Sequence, residues 1–179
     1  MQKDNLCGGC VACCTVYHIE GLVHREPIIS LAGNQCPLAV VGKGCQAYGS
    51  HPKDCKDYTC DWLTEASGDL TLRPDNLGVV IDTIQLRGSS LTRTAFCVVV
   101  WEYHKGAIES EVVKALVAEY VARPNPHLVL LRRKNQIGKL YDELVHNTAV
   151  TAEEISHVKR RMIVLSDTSV NPAVKELLE

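Results

Sequence analysis

The usual signatures of nucleotide or acyl chemistry are missing from this 179-residue chain. There is no Walker A loop, no Rossmann glycine fingerprint and no serine nucleophile elbow, so familiar phosphate-binding and serine-hydrolase readings have no foothold. No stretch approaches the about 18 apolar residues needed to cross a bilayer. The start, "MQKDNLCGGC", puts no apolar segment behind a basic one. The expectation is a cytoplasmic protein with no membrane partner. Charge of one sign is lacking too: 19 Lys and Arg against 21 Asp and Glu leave a formal -2. That balance gives nucleic acid no electrostatic reason to bind. Internal repeats and low-complexity segments are absent.

What the chain does have is cysteine. Cys7, Cys10, Cys13, Cys14, Cys36, Cys45, Cys55 and Cys60 fall within 54 residues, and Cys97 stands alone in the apolar run "TAFCVVVW". Eight clustered thiols and one core-like thiol make two populations. Disulfides suit a secreted chain, which nothing here suggests, and a Cys13 to Cys14 bridge would be strained. A thioredoxin-type Cys-x-x-Cys normally stands alone ahead of a helix, whereas this one is surrounded by other thiols. Metal is the better reagent: thiolates suit zinc and iron-sulfur clusters, and "CGGC" forms a tight loop whose Gly8 and Gly9 permit a sharp turn and expose amides to sulfur.

Residues 1–66 are rich in Cys and Gly and poor in periodic runs, which reads as a small metal-binding module held by its ligands more than by a core. Residues 67–179 read differently. "LGVVIDTI" and "AFCVVVWEY" are β-branched, apolar strands joined by turn-rich sequence, a natural hairpin. "ESEVVKALVAEYVAR" sets Val112, Val113, Leu116, Val117 and Tyr120 at helical spacing before Pro124, and "HLVLLRR" reads as a third strand. Thr151 and Glu154 have capping-box spacing ahead of an apolar stripe of Ile155, Val158 and Met162, and Pro172 suits the start of a last short helix. The fold class expected is α+β, a Cys-rich module packed on a mixed strand and helix domain.

"CGGCVACC", then "CPLAVVGKGCQAY", then "HPKDCKDYTCDW" resembles the YkgJ family of cysteine-cluster proteins, the zinc- or iron-chelating domain named for its CxxCxxCC motif. The resemblance covers residues 7–62. It implies metal ligands among Cys7, Cys10, Cys13, Cys14, Cys36, Cys45 and Cys55, with Cys60 as an eighth. His51 stands where the family more often has arginine before the proline. The motif also occurs in flagellin lysine methylases, where the resemblance would imply an iron-sulfur enzyme.

Three functions follow as expectations: a metal-binding protein with a structural or regulatory centre of zinc or iron, an iron-sulfur-dependent enzyme, or a zinc-stabilised module contacting protein or RNA through its strands and the Arg132, Arg133, Lys134 cluster. Cys7, Cys10 and Cys13 repeat the ferredoxin opening, and Cys36 precedes a proline as that motif's last cysteine does, but Cys14 breaks the ferredoxin spacing. Eight thiols equally divide into two tetrahedral zinc sites. Were residues 7–14 helical, Cys7, Cys10 and Cys14 would share a face and Cys13 would point elsewhere. His18, His24 and His51 are left out of the ligand set, as solvated or structural histidines.

Overall fold

A computed structural model describes residues 7–64, 69–86, 95–124, 127–134 and 140–147. The capping-box segment at 151–162 and the stretch after Pro172 lie outside them. The chain is α+β, as its patterning implies. Its centre is a four-stranded sheet, β5 (Val79–Leu86), β6 (Ala95–Glu102), β7 (His127–Lys134) and β8 (Leu140–Asn147), in that order. β5 and β6 form the expected antiparallel pair, Val79 opposite Glu102. β7 lies parallel to β6, which needs a crossover, and α5 (Glu111–Val121) supplies it. β8 closes the sheet antiparallel to β7; no apolar run announces it in the sequence.

The central strand β6 reads as a nearly continuous apolar run because the sheet is covered on both faces. Alternation along β6 sorts its side chains: Val98 and Val100 join Val79, Ile108, Val113, Tyr120, Val129 and Leu131 on one face, under α5. Cys97, Val99 and Trp101 turn to the other, with Val80, Leu128 and Leu130. On that second face sit Ala12, Val16 and Cys60 from the cysteine-rich segment. The helical stripe of α5 differs slightly from its sequence reading: Val113 and Tyr120 are buried, whereas Val112 is 54% exposed. Ser110 caps the helix, accepting from the Val113 amide at 3.3 Å.

The cysteine-rich segment is built from short pieces: α1 (Cys13–Val16), the hairpin β1 (Ile19–Val23) and β2 (Glu26–Ser30), the two-residue strands β3 (Ala39–Val40) and β4 (Gly44–Cys45), then α2 (Lys53–Asp57) and α3 (Asp61–Thr64). It has a small apolar cluster of its own, Val11, Ile19, Cys36 and Ala39, and shares the larger one with the sheet. A further short helix, α4 (Pro74–Leu77), leads into β5. No helix among the described residues is long and apolar enough to cross a membrane.

Candidate metal centre

The thiol-bearing turns are positioned by close backbone approach. Cys7 and Cys10 are brought round by a hydrogen bond from the Cys10 amide to the Cys7 carbonyl at 2.8 Å. The two glycines between them abut the turn that precedes Cys45. A Cβ on Gly9 would lie 2.6 Å from the Gly42 carbonyl oxygen, and one on Gly44, whose φ is +79°, would lie 2.5 Å from that of Gly8. Backbones can pass this closely only without side chains, so "CGGC" and "GKGC" are two halves of one contact. Next, the Cys36 amide donates to the Cys14 carbonyl at 2.9 Å, and the Ala39 amide to the Cys36 carbonyl at 2.9 Å. Ala39 in turn pairs with Cys45 across β3 and β4.

These turns converge. Cys7, Cys10, Cys13, Cys14, Cys36, Cys45, Cys55 and Cys60 all line a single cavity of about 900 Å³ between the segment and the sheet. None is in a disulfide. Cys97, in β6, is 1% exposed and does not line it. Among the described residues, no three Cys, His, Asp or Glu side chains stand close enough together to hold one metal ion. The donor chemistry therefore fits a thiophilic metal, and the spacing is wider than coordination.

Burial governs Cys7, Cys10, Cys45 and Cys60 among these thiols. It pushes Cys7 up to about 11 and Cys10 up to about 12, although backbone amides of Ala12 and Asp75 favour the Cys10 thiolate and the Arg73 guanidinium favours that of Cys7. Burial raises Cys45 and Cys60 as well, the latter opposed by amides of Leu63 and Trp62 at the start of α3. Cys13 and Cys14 behave as a pair: the Cys13 thiol donates a hydrogen bond to the Cys14 sulfur, so Cys14 falls below the usual thiol range and Cys13 rises well above it. Adjacent thiols thus meet, contrary to the helical reading of residues 7–14. Helix α1 begins only at Cys13, and both Cys13 and Cys14 line the cavity.

Cys55 and Cys60 sit in separate elements, α2 and the approach to α3. His18 and His51 line the cavity but are engaged elsewhere. His18 Nε2 is 3.6 Å from Glu20 Oε2, and His51 Nδ1 accepts from the Gly49 amide at 3.0 Å. His24 bonds Ser50 Oγ at 3.2 Å.

Sequence spacing pointed to none of the groups opposite the thiols. The sheet contributes Asp82, Thr83, Val99, Trp101 and Arg132 to the cavity wall, with Tyr17 and Tyr58 beside them. Tyr58 donates to Tyr17 at 3.2 Å, and burial raises both phenols well above their usual value. Arg132, expected in a cluster that contacts protein or RNA, is instead 2% exposed, its guanidinium 4.1 Å from the Trp101 ring centre. Arg133 is held by Glu109 at 2.7 Å and Glu143 at 3.3 Å. Arg73 and Asp75, paired at 2.6 Å, flank Cys7 and Cys10; their one local signal is the opposite charge on either side of Pro74. No protein-family model, curated protein or solved structure matches this chain, so the family resemblance rests on the motif residues alone.

Proposed function

We propose that this chain is a metal-binding protein whose clustered cysteines chelate zinc or an iron-sulfur centre in a structural or regulatory role. The observation that carries this reading is the convergence of all eight clustered thiols on one cavity while the ninth is packed away in β6. Thiols collected for packing alone would have no reason to share a wall, and each thiol that binds a metal must give up its proton to solvent as the ion enters. Bound there, zinc would supply a tetrahedral crosslink between short elements that have little core of their own. The protein residues hold the turns, exclude water through Tyr17, Tyr58 and Trp62, and offset thiolate charge through Arg73.

A catalytic reading, with an iron-sulfur centre serving group transfer to a protein side chain, draws on a different observation: the cavity has a second wall of Asp82, Trp101 and Arg132 that metal chelation does not use. Elemental analysis and a visible spectrum on protein purified without oxygen test both. Tightly held zinc in colourless protein is the outcome expected for the structural reading. Brown protein with iron and acid-labile sulfide in comparable amounts favours the catalytic one, and protein equally folded with and without chelator and free of metal refutes both.

A further inference from the structure

The sheet side of the cavity carries a donor that the fold leaves unanswered. Trp101 points from β6 to the cavity side of the sheet and is 6% exposed, and its indole N–H is buried without an acceptor among the described residues. An indole nitrogen donates and does not accept, and buried donors in native proteins find partners, so a missing acceptor marks a place that something else completes. Trp62, the chain's other tryptophan, shows the difference: its Nε1 donates to the Asp69 carbonyl at 2.9 Å. A buried cation stands beside the Trp101 N–H. Arg132 is opposite Trp101 on β7, with its guanidinium 4.1 Å from the indole ring centre. Asp82, the acid on the same wall, lies on the far side of β6 and is opposite Val99, two residues from Trp101, so the two charges are displaced from one another. Around the indole the wall is apolar: Tyr17 meets the Trp101 ring edge-on at 4.8 Å, and Val99 and Ile84 continue the surface.

We infer that the cavity binds a small organic carboxylate on its sheet side, the carboxylate accepting the Trp101 N–H with Arg132 as the buried countercharge behind the ring, and the ligand's apolar part lying against Tyr17, Val99 and Ile84. A neutral carbonyl would answer the N–H, but only an anion also gains from Arg132, whose field is weakly screened in the interior. A guanidinium carries five N–H donors, so Arg132 keeps this role beside its other contacts. At about 900 Å³ the cavity has the size of those that enclose small organic molecules. The inference goes beyond the metal-binding reading and does not rest on it. A thiol-bound ion draws on the cysteines of the segment, whereas the carboxylate draws on side chains of β5, β6 and β7 and on Tyr17.

The test uses the full chain, reduced and without oxygen, isotope-labelled and titrated with acetate or benzoate into the tens of millimolar while NMR follows its two indole N–H signals. Trp101→Phe deletes one N–H, keeps a ring beneath Arg132 and assigns the signals. Benzoate should bind saturably and move the Trp101 proton downfield as its hydrogen bond forms, with the already bonded Trp62 proton moving less. Benzamide, of the same shape without the charge, should bind about 10-fold more weakly, and Trp101→Phe and Arg132→Gln should each weaken benzoate about 10-fold by calorimetry. Cys97→Ala, which lies outside the cavity, should leave benzoate affinity unchanged. No saturable Trp101 shift with either carboxylate, or benzamidinium binding as tightly as benzoate, overturns the inference. So does benzoate that needs added zinc and binds Trp101→Phe as well as wild type, since it then sits on the ion. Where Arg132→Gln does not fold, benzoate against benzamide on the wild-type chain decides. Metal content measured on the same samples tells failure here from failure of the metal-binding reading.

Discussion

Asp61 follows Cys60 directly and opens α3, and its carboxylate accepts three hydrogen bonds: from the Thr83 amide at 3.1 Å, from Thr83 Oγ1 at 2.5 Å and from the Tyr120 hydroxyl at 2.9 Å. One side chain therefore ties the last thiol of the cavity to β5 and to α5. Bonds to a charged acceptor contribute about 1.5 kcal/mol or more each, and truncation also strands their donors, of which Tyr120 is 4% exposed. Asp61→Ala should destabilise the protein by about 3–5 kcal/mol, which for a chain of this size lowers Tm by about 10 °C. Asp61→Asn keeps one carbonyl acceptor and should cost about half as much, and Tyr120→Phe, which removes a single bond, about 1 kcal/mol. Urea unfolding of the reduced protein measures all three. On the metal-binding reading, Cys60 loses its anchor, so zinc should leave Asp61→Ala at lower chelator concentration than it leaves the wild type. A loss below about 1 kcal/mol in Asp61→Ala would refute the reasoning, since it would mean that water replaces the carboxylate at no cost.

In chelator-treated, reduced protein, alkylation should reach Cys14 at the lowest pH and should reach Cys7 and Cys10 only as pH climbs toward about 11 and 12, because the reagent consumes thiolate and burial keeps those two protonated. Equal rates across the set at pH 8 would contradict this. Gly9→Ala drives a Cβ to 2.6 Å from the Gly42 oxygen and should cost about 1–3 kcal/mol while weakening metal retention, read by thermal melting and competition with a chelator. Cys97→Ala removes a sulfur that is 1% exposed in β6 and should cost about 1–2 kcal/mol with metal stoichiometry unchanged, whereas a fall in bound metal would place Cys97 in the centre after all. Ser110→Ala deletes the α5 cap and should lower stability by about 1 kcal/mol in urea unfolding.

Local patterning determined much of this protein. The β-branched runs gave β5, β6 and β7, Pro124 and the apolar spacing gave α5, and the cysteine spacing marked the residues that line the cavity. Each of these signals is periodic or short-range, so the order of residues alone carries it. Tertiary structure decided the rest. β8 has no apolar run of its own and forms because β7 offers it a partner. Arg132, polar in a basic stretch, is buried by stacking on Trp101 from the neighbouring strand. The convergence of the thiols shows the same limit: glycine-to-glycine contact brings the Cys7 and Cys10 turn against the turn before Cys45, and Cys60 packs on the sheet face, across tens of residues. Sequence spacing reports which side chains can be neighbours along a turn or a strand. Which turns then face one cavity is set by long-range packing, whose partners lie too far apart in the chain for any local period to record.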